Sequence, residues 1–454
     1  MKHNNLSKVV CFLSLACPVA FASCSKAVEK VDEEPKQVET KEEQSLRTNK
    51  SISISFPKNG ESVHILKPRI LNYINAMHEQ AKAIENDYVL HDFYAWDKEY
   101  TDSDHKHGTE FSNETDKVRI NDFTKGLNEE KSKDVSLVFD SKGMPDNTEY
   151  TVKVSRNQDM SNPVTIVTTN KYATINNLFA GTTYYWQVSA NDVSSDVESF
   201  VTDEGFRMIS AGAVTNIRDM GGRPVAGGKR IKQGLIYRGG ELVTEDYIPT
   251  DSTSTHYQTL YPDNLPILQD EMGIKYEVDF RGDAESGELT QSPLKDATHD
   301  DVEYLRIPNM SGYDYFFKMN SEMNQKVKTM FLAFRDAATK PVYFHCWGGA
   351  DRTGTCGFML GALLGMSFTD LVIDFELTSF SNNYRPHQIN DSKKIYRFPH
   401  LIGKIYTMTT VSDSSVTYYQ PNKPLSQIVE EILIDRFGLT AQDIQDIRTN
   451  LLED

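Results

Sequence analysis

The chain has little cysteine, little tryptophan and no excess of positive charge. Its 454 residues include five cysteines and three tryptophans, and the formal net charge at pH 7 is −17. So acidic a chain is a poor candidate for binding nucleic acid or an anionic membrane, because both depend on basic surfaces. We therefore expect no nucleic-acid partner, and any anionic ligand must be held in a locally positive pocket.

The apolar run near the N-terminus, VVCFLSLACPVAFA, is too short to span a bilayer. Lys2 and Lys8 lie at its start, a pattern that predicts a signal peptide over residues 1–23. The run ends in FASC, which resembles the lipobox of bacterial lipoproteins, so Cys24 is the predicted lipidation site. We expect an exported protein that contacts a bacterial membrane through its lipid anchor, on the periplasmic side or at the cell surface. An ordinary signal peptide cut nearby is the alternative.

The chain beyond the predicted cleavage site begins with a polar segment. Residues 24–50 are rich in Glu and Lys and contain no aromatic residue, which predicts a disordered tether. Cys24, Cys346 and Cys356 are the cysteines left after cleavage, so no disulfide framework is predicted. Because Cys346 and Cys356 lie in or beside one motif, we expect reactivity rather than packing to explain their presence.

Residues 51–204 carry the period-two alternation that is typical of β-strands. The alternation is clearest in SISISFP, DVSLVFD, EYTVKVS, PVTIVTT and YATINNL. The later stretch LFAGTTYYWQVSAND resembles the last strands of a fibronectin type III domain, with Tyr184 in the place of the tyrosine corner. The resemblance implies a β-sandwich with an insertion at about residues 59–130, where ILNYINAMHEQAKAI has helical spacing.

Strand and helix patterns alternate from residue 206 to residue 454. GIKYEVDFRG and PVYFHC are typical of buried strands, and NQKVKTMFLAFRDAA and RTGTCGFMLGALLGM are typical of helices. This order predicts an α/β domain with a central, mostly parallel sheet flanked by helices. Ligands of such sheets bind beyond the carboxyl ends of the strands, and HCWGGADRTGT, residues 345–355, follows one of them.

Cys346, Arg352 and Thr353 form the pattern C-x5-R-T, which suits attack on a tetrahedral phosphate. The nucleophile is a thiolate, and a helix N-terminus with nearby cations lowers the pKa of a cysteine. Arg352 can clamp two phosphate oxygens with its planar fork. Thr353 can steady the thiolate when it leaves, and His345 can hold the loop from behind.

The loop between the cysteine and the arginine can surround an anion with backbone N–H groups. Glycines permit the backbone angles and the close approach that such a loop needs. The residues predicted to form this phosphate-binding loop are Trp347, Gly348, Gly349, Ala350 and Thr353.

A leaving alkoxide or phenoxide needs a proton. Asp351 is the first candidate for general acid in the first step and general base in the second, and Asp279 and Asp314 are lesser candidates. No cofactor is expected, and no metal site either. The one tempting segment, TDSDHKHG, lacks the EF-hand positions, paired cysteines and a helical HExxH.

The segment HCWGGADRTG resembles the phosphate loop of the cysteine-dependent protein tyrosine phosphatases, and most closely that of the bacterial ones whose loop reads HCxxGKDRTG. NIRDMGGRPVAGGKRIKQGLIYRGGEL resembles their N-F-R-D-x-G-G and Y-R-S-G blocks. VDFRGDAE is similar to their D-L-R-x-x-x-E strand, DFELT to their D-Y-x-L-T segment and FGLTAQDIQDIRTNLL to their final helix pair. The resemblance covers residues 206–454 and implies the phosphatase α/β fold and dephosphorylation of tyrosine phosphoesters.

The resemblance also implies roles for single residues. Cys346 becomes the nucleophile, Arg352 the clamp and Asp351 the acid. Ala350 stands where the family usually has Lys, so the pocket loses a positive charge, which argues against phosphoinositide substrates. Residues implied to line the pocket or to support it, with plain structural ion pairs as the alternative for each, are His345, Asn216, Arg218, Asp219, Arg238, Asp279 and Arg281.

The sequence thus predicts a phosphatase that hydrolyses phosphomonoesters, phosphotyrosine above others, through a cysteinyl-phosphate intermediate. One alternative keeps this mechanism but acts on inositol phosphates or other small phosphoesters. The other is a surface-binding protein whose phosphatase domain recognises phosphate with weak catalysis. The expected partner is a phosphorylated protein or a small phosphoester, and the oligomeric state is left open.

Overall fold

The computed structural model describes residues 50–83, 120–124, 130–244, 260–286, 289–308, 320–381, 397–420 and 422–454. The predicted signal peptide, Cys24, nearly all of the tether, Asp314 and the segment TDSDHKHG lie outside these residues. Among the described helices, none combines the length and the apolar character needed to cross a membrane.

The N-terminal part is built from strands whose buried and exposed residues alternate, as the period-two pattern predicts. A three-stranded antiparallel sheet has the order β1-β3-β6. A second sheet has the order β2-β9-β7-β4-β5, with β8 also paired to β7, and it is antiparallel except between β2 and β9. The strands are β1 (Ser51–Phe56), β2 (Glu61–Val63), β3 (Val135–Lys142), β4 (Tyr150–Ser155), β5 (Val164–Thr168), β6 (Tyr172–Ile175), β7 (Thr183–Ala190), β8 (Val193–Ser194) and β9 (Glu198–Thr202).

Tyr184 makes the backbone contact expected of a tyrosine corner. It lies on β7, is largely buried, and its Oη accepts a hydrogen bond from the N–H of Phe179 at 2.8 Å. The insertion between β2 and β3 contains α1 (Pro68–Ala83), where helical spacing was predicted, and the single turn α2 (Asn121–Thr124).

The C-terminal part is a mixed α/β layer structure, as the alternation of patterns predicts. Its strands are β10 (Arg207–Met208), β11 (Arg218–Asp219), β12 (Arg230–Ile231), β13 (Ile236–Gly239), β14 (Tyr276–Asp279), β15 (Glu303–Arg306), β16 (Val342–His345) and β17 (Leu452–Glu453). Its α-helices are α3 (Asp283–Ser286), α4 (Ser321–Arg335), α5 (Arg352–Leu364), α6 (Phe368–Glu376), α7 (Arg397–Thr407), α8 (Leu425–Phe437) and α9 (Ala441–Leu451). A π-helical turn, Ile267–Glu271, and a 3-10 turn, Leu377–Phe380, complete the described helices.

The central sheet has the order β10-β11-β13-β16-β14-β15, and its last four strands are parallel. In this register Gly239 and Asp279 are the partners of His345, so three strands end side by side. All four residues of β16 are buried, because the sheet is covered on both faces. The residues that follow these strand ends are therefore brought to one edge of the sheet.

The two parts share one core and a polar seam. A single hydrophobic cluster contains side chains from both parts, among them Tyr73, Trp186 and Phe331. Lys131 Nζ donates to the carbonyl oxygens of Gly212 at 2.9 Å and Val214 at 2.5 Å. Additional hydrogen bonds across the seam join Asn177 to Ser210, Ala180 to Gln233 and His78 on α1 to Asp370 on α6.

Replacing Tyr184 by phenylalanine should lower the thermal unfolding midpoint of the full chain. The substitution removes the acceptor of the Phe179 N–H, a loss of about 1 kcal/mol or more. Tyr185→Phe, at the next position of β7, is the matched control because the Tyr185 hydroxyl makes no hydrogen bond to any residue that the structure describes. Equal midpoints for the two variants in differential scanning calorimetry would contradict the expectation.

Candidate active site

Residues 346–351 form a loop between the end of β16 and the start of α5. The chain passes from a fully buried strand directly into the first turn of the helix, so the loop lies at the carboxyl edge of the sheet. Gly349 has a φ of +67°, and an added Cβ would lie 2.3 Å from Gly239 O. Glycine is therefore required at this position by backbone conformation and by space together.

The sulfur of Cys346 lies in an environment that favours the thiolate. Burial, with only 3% of the residue exposed, favours the neutral thiol. The Arg352 guanidinium, the Thr353 hydroxyl and the N–H groups of Thr353 and Gly349 outweigh burial, so the pKa of Cys346 is lower than that of an ordinary thiol. The Thr353 hydroxyl is itself buried in this site.

Arg352 is held in place by a carboxylate and a backbone carbonyl. Its Nη1 and Nη2 reach the two oxygens of Glu285 at 2.6 and 2.8 Å, and Nη1 also donates to Phe280 O at 2.9 Å. Burial opposes ionisation of Glu285, yet the bond to Arg352 lowers the pKa of this carboxyl, so the pair stays charged. A bidentate ion pair of this kind fixes the plane of the guanidinium beside the sulfur.

Two side chains contact the loop through its backbone carbonyl groups. Asn216 Nδ2 donates to Gly348 O, and Arg238 Nη2 donates to Gly349 O, both at 3.0 Å. Asn216 itself has a positive φ of +59° and is completely buried. These contacts fix the loop against the strands β11 and β13.

A cluster of four buried charged side chains includes Arg238, one of the two side chains that hold the loop. Arg218, Arg223 and Arg238 all form ion pairs with the carboxylate of Asp374 on α6, and all four side chains are buried. Burial, followed by the field of Arg238, lowers the pKa of Arg218 to about 9. Burial alone would raise the pKa of Asp374, but the three arginines keep it far below the ordinary range. The four side chains together carry two more positive than negative charges.

Comparison with known proteins identifies the family. The model of the tyrosine phosphatase family matches residues 209–453, more than half of the chain. The chain belongs to the tyrosine phosphatase family. It is a cysteine-dependent phosphatase, and the sequence-based prediction of such an enzyme is confirmed.

Two individual proteins are similar to this phosphatase. A protein of Cupriavidus necator named "Putative tyrosine-protein phosphatase" is 23% identical over 226 residues, which cover 45% of this chain and 74% of the relative. The crystal structure of the core catalytic domain of a PP-IP phosphatase from S. cerevisiae, in complex with citrate, matches 41% of this chain and 86% of its own at 14% identity. Its TM-score of 0.22 is too low to indicate a common fold.

The structure brings the predicted loop residues of the phosphatase together. Gly348 and Ala350 are buried, and Trp347 is partly exposed, with its carbonyl accepting from Glu241 N at 3.0 Å. Asp351 is partly exposed at the position immediately before α5. Its carbonyl accepts hydrogen bonds from the N–H and the hydroxyl of Thr355, so the residue is fixed at the start of the helix.

His345 lies behind the nucleophile in a buried hydrogen-bond network. Its Nε2 is 2.8 Å from Glu277 Oε1, and its Nδ1 is 3.2 Å from the carbonyl oxygen of Cys346. Among the described residues, Glu277, Asp279 and His345 form the group whose atoms could hold a metal ion. Ser292 donates to Glu277 and Arg281 donates to Asp279, so these carboxylates already have partners.

Within the described part of the chain, the hydrogen bonds of the Asp279, Arg281 and Asp219 side chains go to partners outside the loop. Arg281 Nη2 is 2.8 Å from Asp279 Oδ2, which also accepts from Tyr304 Oη at 2.9 Å. Burial opposes ionisation of Asp279, yet Arg281 keeps its pKa far below the ordinary range, so a proton for a leaving group is not available there. Asp219 accepts from Arg207 at 2.9 Å, near the seam with the N-terminal part.

Several residues of the site were not singled out from the sequence. Glu285 holds Arg352, and Asp374 and Thr378 hold the groups behind the loop. All three lie within the quoted segments VDFRGDAE and DFELT, so the family blocks contained the signal. The expectation of a reactive Cys356 is wrong, because its sulfur is buried 3.5 Å from Met330 Sδ and burial raises its pKa.

Because its pKa is lowered, Cys346 should be alkylated at a lower pH than an ordinary thiol. The rate of its reaction with iodoacetamide should rise with pH, with a midpoint below the pKa of an ordinary thiol, about 8.5. Arg352→Met should move the midpoint upward by roughly one pH unit or more, because the main positive charge near the sulfur is removed. Arg335→Met, on α4, removes the same charge elsewhere and should leave the midpoint unchanged. The explanation fails if Arg352→Met leaves the midpoint where it is in the unaltered protein.

Proposed function

We propose that this enzyme hydrolyses phosphomonoesters, with phosphotyrosine as the favoured substrate. The observation that carries the proposal is the Cys346 sulfur, which is ionised more easily than an ordinary thiol beside the fixed guanidinium of Arg352. A nucleophile and a cation adjacent to a loop of backbone N–H groups suit a tetrahedral dianion.

In the first step the thiolate of Cys346 attacks phosphorus, and an S–P bond forms while the bond to the leaving oxygen breaks. Arg352 and the loop N–H groups stabilise the charge on the phosphoryl oxygens. Asp351 donates its proton to the leaving oxygen, so that a phenol rather than a phenoxide departs. The product of this step is a cysteinyl-phosphate on Cys346.

In the second step water attacks the phosphorus of the cysteinyl-phosphate. Asp351, now ionised, accepts a proton from that water, and the S–P bond breaks. The leaving thiolate is stabilised by Arg352 and by the Thr353 hydroxyl, the groups that lower its pKa in the resting enzyme. Inorganic phosphate is released and Asp351 is again protonated.

The position of Ala350 supports a substrate with a single phosphate. It is 1% exposed and stands where the related phosphatases carry a lysine, so this pocket has one cation fewer. The binding of substrates with several phosphates is weakened most by the missing cation, because each additional dianion needs its own counter-charge.

The mechanism predicts distinct defects in two variants. Cys346→Ser should lower kcat at least about a thousandfold on every phosphomonoester, because the nucleophile is lost. Asp351→Asn should lower kcat roughly a hundredfold on phosphotyrosine peptide, but much less on methylumbelliferyl phosphate, whose leaving group needs less help from an acid. Cys356→Ala is the matched control, because Cys356 is the next cysteine in the chain and lies on α5 outside the loop.

The same panel, run with EDTA and with inositol hexakisphosphate as a second substrate, separates the other functions. Turnover of inositol phosphate without turnover of the peptide would replace the proposed substrate and keep the mechanism. Unchanged turnover in Cys346→Ser would overturn the mechanism. Loss of activity on chelation alone would indicate metal-based chemistry.

We also propose that residues 51–204 form a fibronectin type III-like sandwich. Its two sheets and the Tyr184–Phe179 hydrogen bond support this assignment. An experimental structure with a different strand connectivity would refute it.

We further propose that the enzyme is exported and anchored by lipid on Cys24. Cys24→Ala should release the protein from the membrane fraction of an expressing bacterium, whereas Cys17→Ala should leave it there. Mass spectrometry of the N-terminal peptide checks the lipid directly. Membrane association that survives Cys24→Ala would contradict the proposal.

A further inference from the structure

The phosphate loop is held from behind at two consecutive peptide groups. Asn216 holds Gly348 O and Arg238 holds Gly349 O. A trans peptide is planar, and its C=O and N–H point in opposite directions. The N–H groups of the same two peptides, those of Gly349 and Ala350, therefore point away from Asn216 and Arg238. The N–H of Gly349 is among the groups that stabilise the Cys346 thiolate.

Both of these donors are oriented by the same carboxylate. Arg238 Nη1 contacts Asp374 Oδ2, and Arg218 Nε donates to Asp374 Oδ1 at 3.0 Å. Arg218 in turn donates through Nη1 to Asn216 Oδ1 at 2.5 Å, which fixes the side chain whose Nδ2 reaches the loop. Thr378 Oγ1 accepts from that same Nδ2 at 3.1 Å.

We propose that Arg238, held by Asp374, is a positioning residue of the phosphatase, which together with Asn216 points two loop N–H groups at a bound tetrahedral oxyanion. The inference rests on the proposed function, because an oxyanion in the loop is the species that these N–H groups serve. N–H groups already aimed at the developing charge need no reorganisation during the reaction.

Arg223, the third arginine paired with Asp374, allows the effect of holding the loop to be distinguished from the effect of positive charge. Arg223 forms an ion pair with the same carboxylate, Nη2 to Oδ1 at 3.0 Å, and is equally buried. Its other side-chain contacts within the described ranges are with Asp219 O at 3.1 Å, the Met220 sulfur and the Phe206 ring. None of these contacts is a loop carbonyl. Arg223 and Arg238 therefore contribute the same charge to the cluster, but only Arg238 holds the loop.

The experiment compares Arg238→Met with Arg223→Met in the full chain. Binding of tungstate, a tetrahedral oxyanion that is not turned over, is measured by isothermal titration calorimetry, and thermal unfolding is recorded for each variant. Each substitution leaves Asp374 with two arginines and removes one positive charge. We expect Arg238→Met to weaken tungstate binding at least about tenfold, and Arg223→Met to weaken it by no more than about threefold.

A second pair of variants keeps the charge and decides the question if the first pair folds poorly. Lysine lacks the planar fork with which Arg238 reaches Asp374 and Gly349 O together. Arg238→Lys should therefore weaken tungstate binding at least about fivefold, whereas Arg223→Lys should bind as the unaltered protein does. The kcat for methylumbelliferyl phosphate should fall in the same order.

Equal losses of tungstate affinity on substitution of Arg223 and of Arg238 would show that only the charge of the cluster matters and would overturn the proposal. Unchanged tungstate binding in both Arg238 variants would overturn it as well. If the unaltered protein binds tungstate but hydrolyses no phosphomonoester, the proposed function fails while the comparison of variants still tests the loop. If it hydrolyses phosphomonoesters and the two positions behave alike, the positioning role fails alone.

Discussion

One carboxylate, that of Asp374, holds three fully buried guanidinium groups, and the geometry of the site depends on this interaction. Removing one partner of a buried ion pair typically costs roughly 3–5 kcal/mol, because the remaining charge is left without compensation. The arrangement therefore allows little variation in the relative positions of α6, β11 and β13. Asn216, which lies just before β11, and Arg238 on β13 hold the carbonyls of the loop. The position of the loop that follows the nucleophile therefore depends on this ion-pair cluster.

The cluster also explains how so acidic a chain can hold an anion. The net charge of −17 is spread over the whole sequence, but Arg218, Arg223, Arg238 and Asp374 leave a local excess of positive charge directly behind the loop. Buried charges are screened much less than exposed ones. At the sulfur itself, the charge of Arg352 and the hydrogen bonds from Thr353 and Gly349 lower the pKa of Cys346.

Much of this arrangement could be predicted from the sequence because it is local. The segment from PVYFHC into RTGTCGFMLGALLGM predicts a buried strand, a loop and a helix. The structure has β16, residues 346–351 and α5 in these places. The alternation of strands and helices gave a central, mostly parallel sheet, and four of its six described strands are parallel. The family blocks gave Asn216, Arg218 and Arg238 as supporting residues, and all three lie behind the loop.

The partners of those residues could not be predicted, because they depend on contacts between distant segments. Asp374 lies more than 130 residues after Arg238 in the chain, and Glu285 lies 67 residues before Arg352. No spacing rule pairs such positions. Asp279 shows the reverse case: its place at a strand end beside His345 was compatible with a catalytic acid, but burial against Arg281 and Tyr304 makes it a fixed anion.

The bond from Lys131 to the carbonyl oxygens of Gly212 and Val214 has a consequence for how such a protein can evolve. These carbonyls belong to the turn that leads into Asn216, and the cation that they bind comes from the β-rich half. A gene fusion that joined the catalytic half to an unrelated upstream module would leave the carbonyls of exposed Gly212 and buried Val214 without this donor, and would uncover the hydrophobic cluster that both halves share. The two halves are therefore expected to be inherited as a pair, unlike the interchangeable modules of many multidomain proteins.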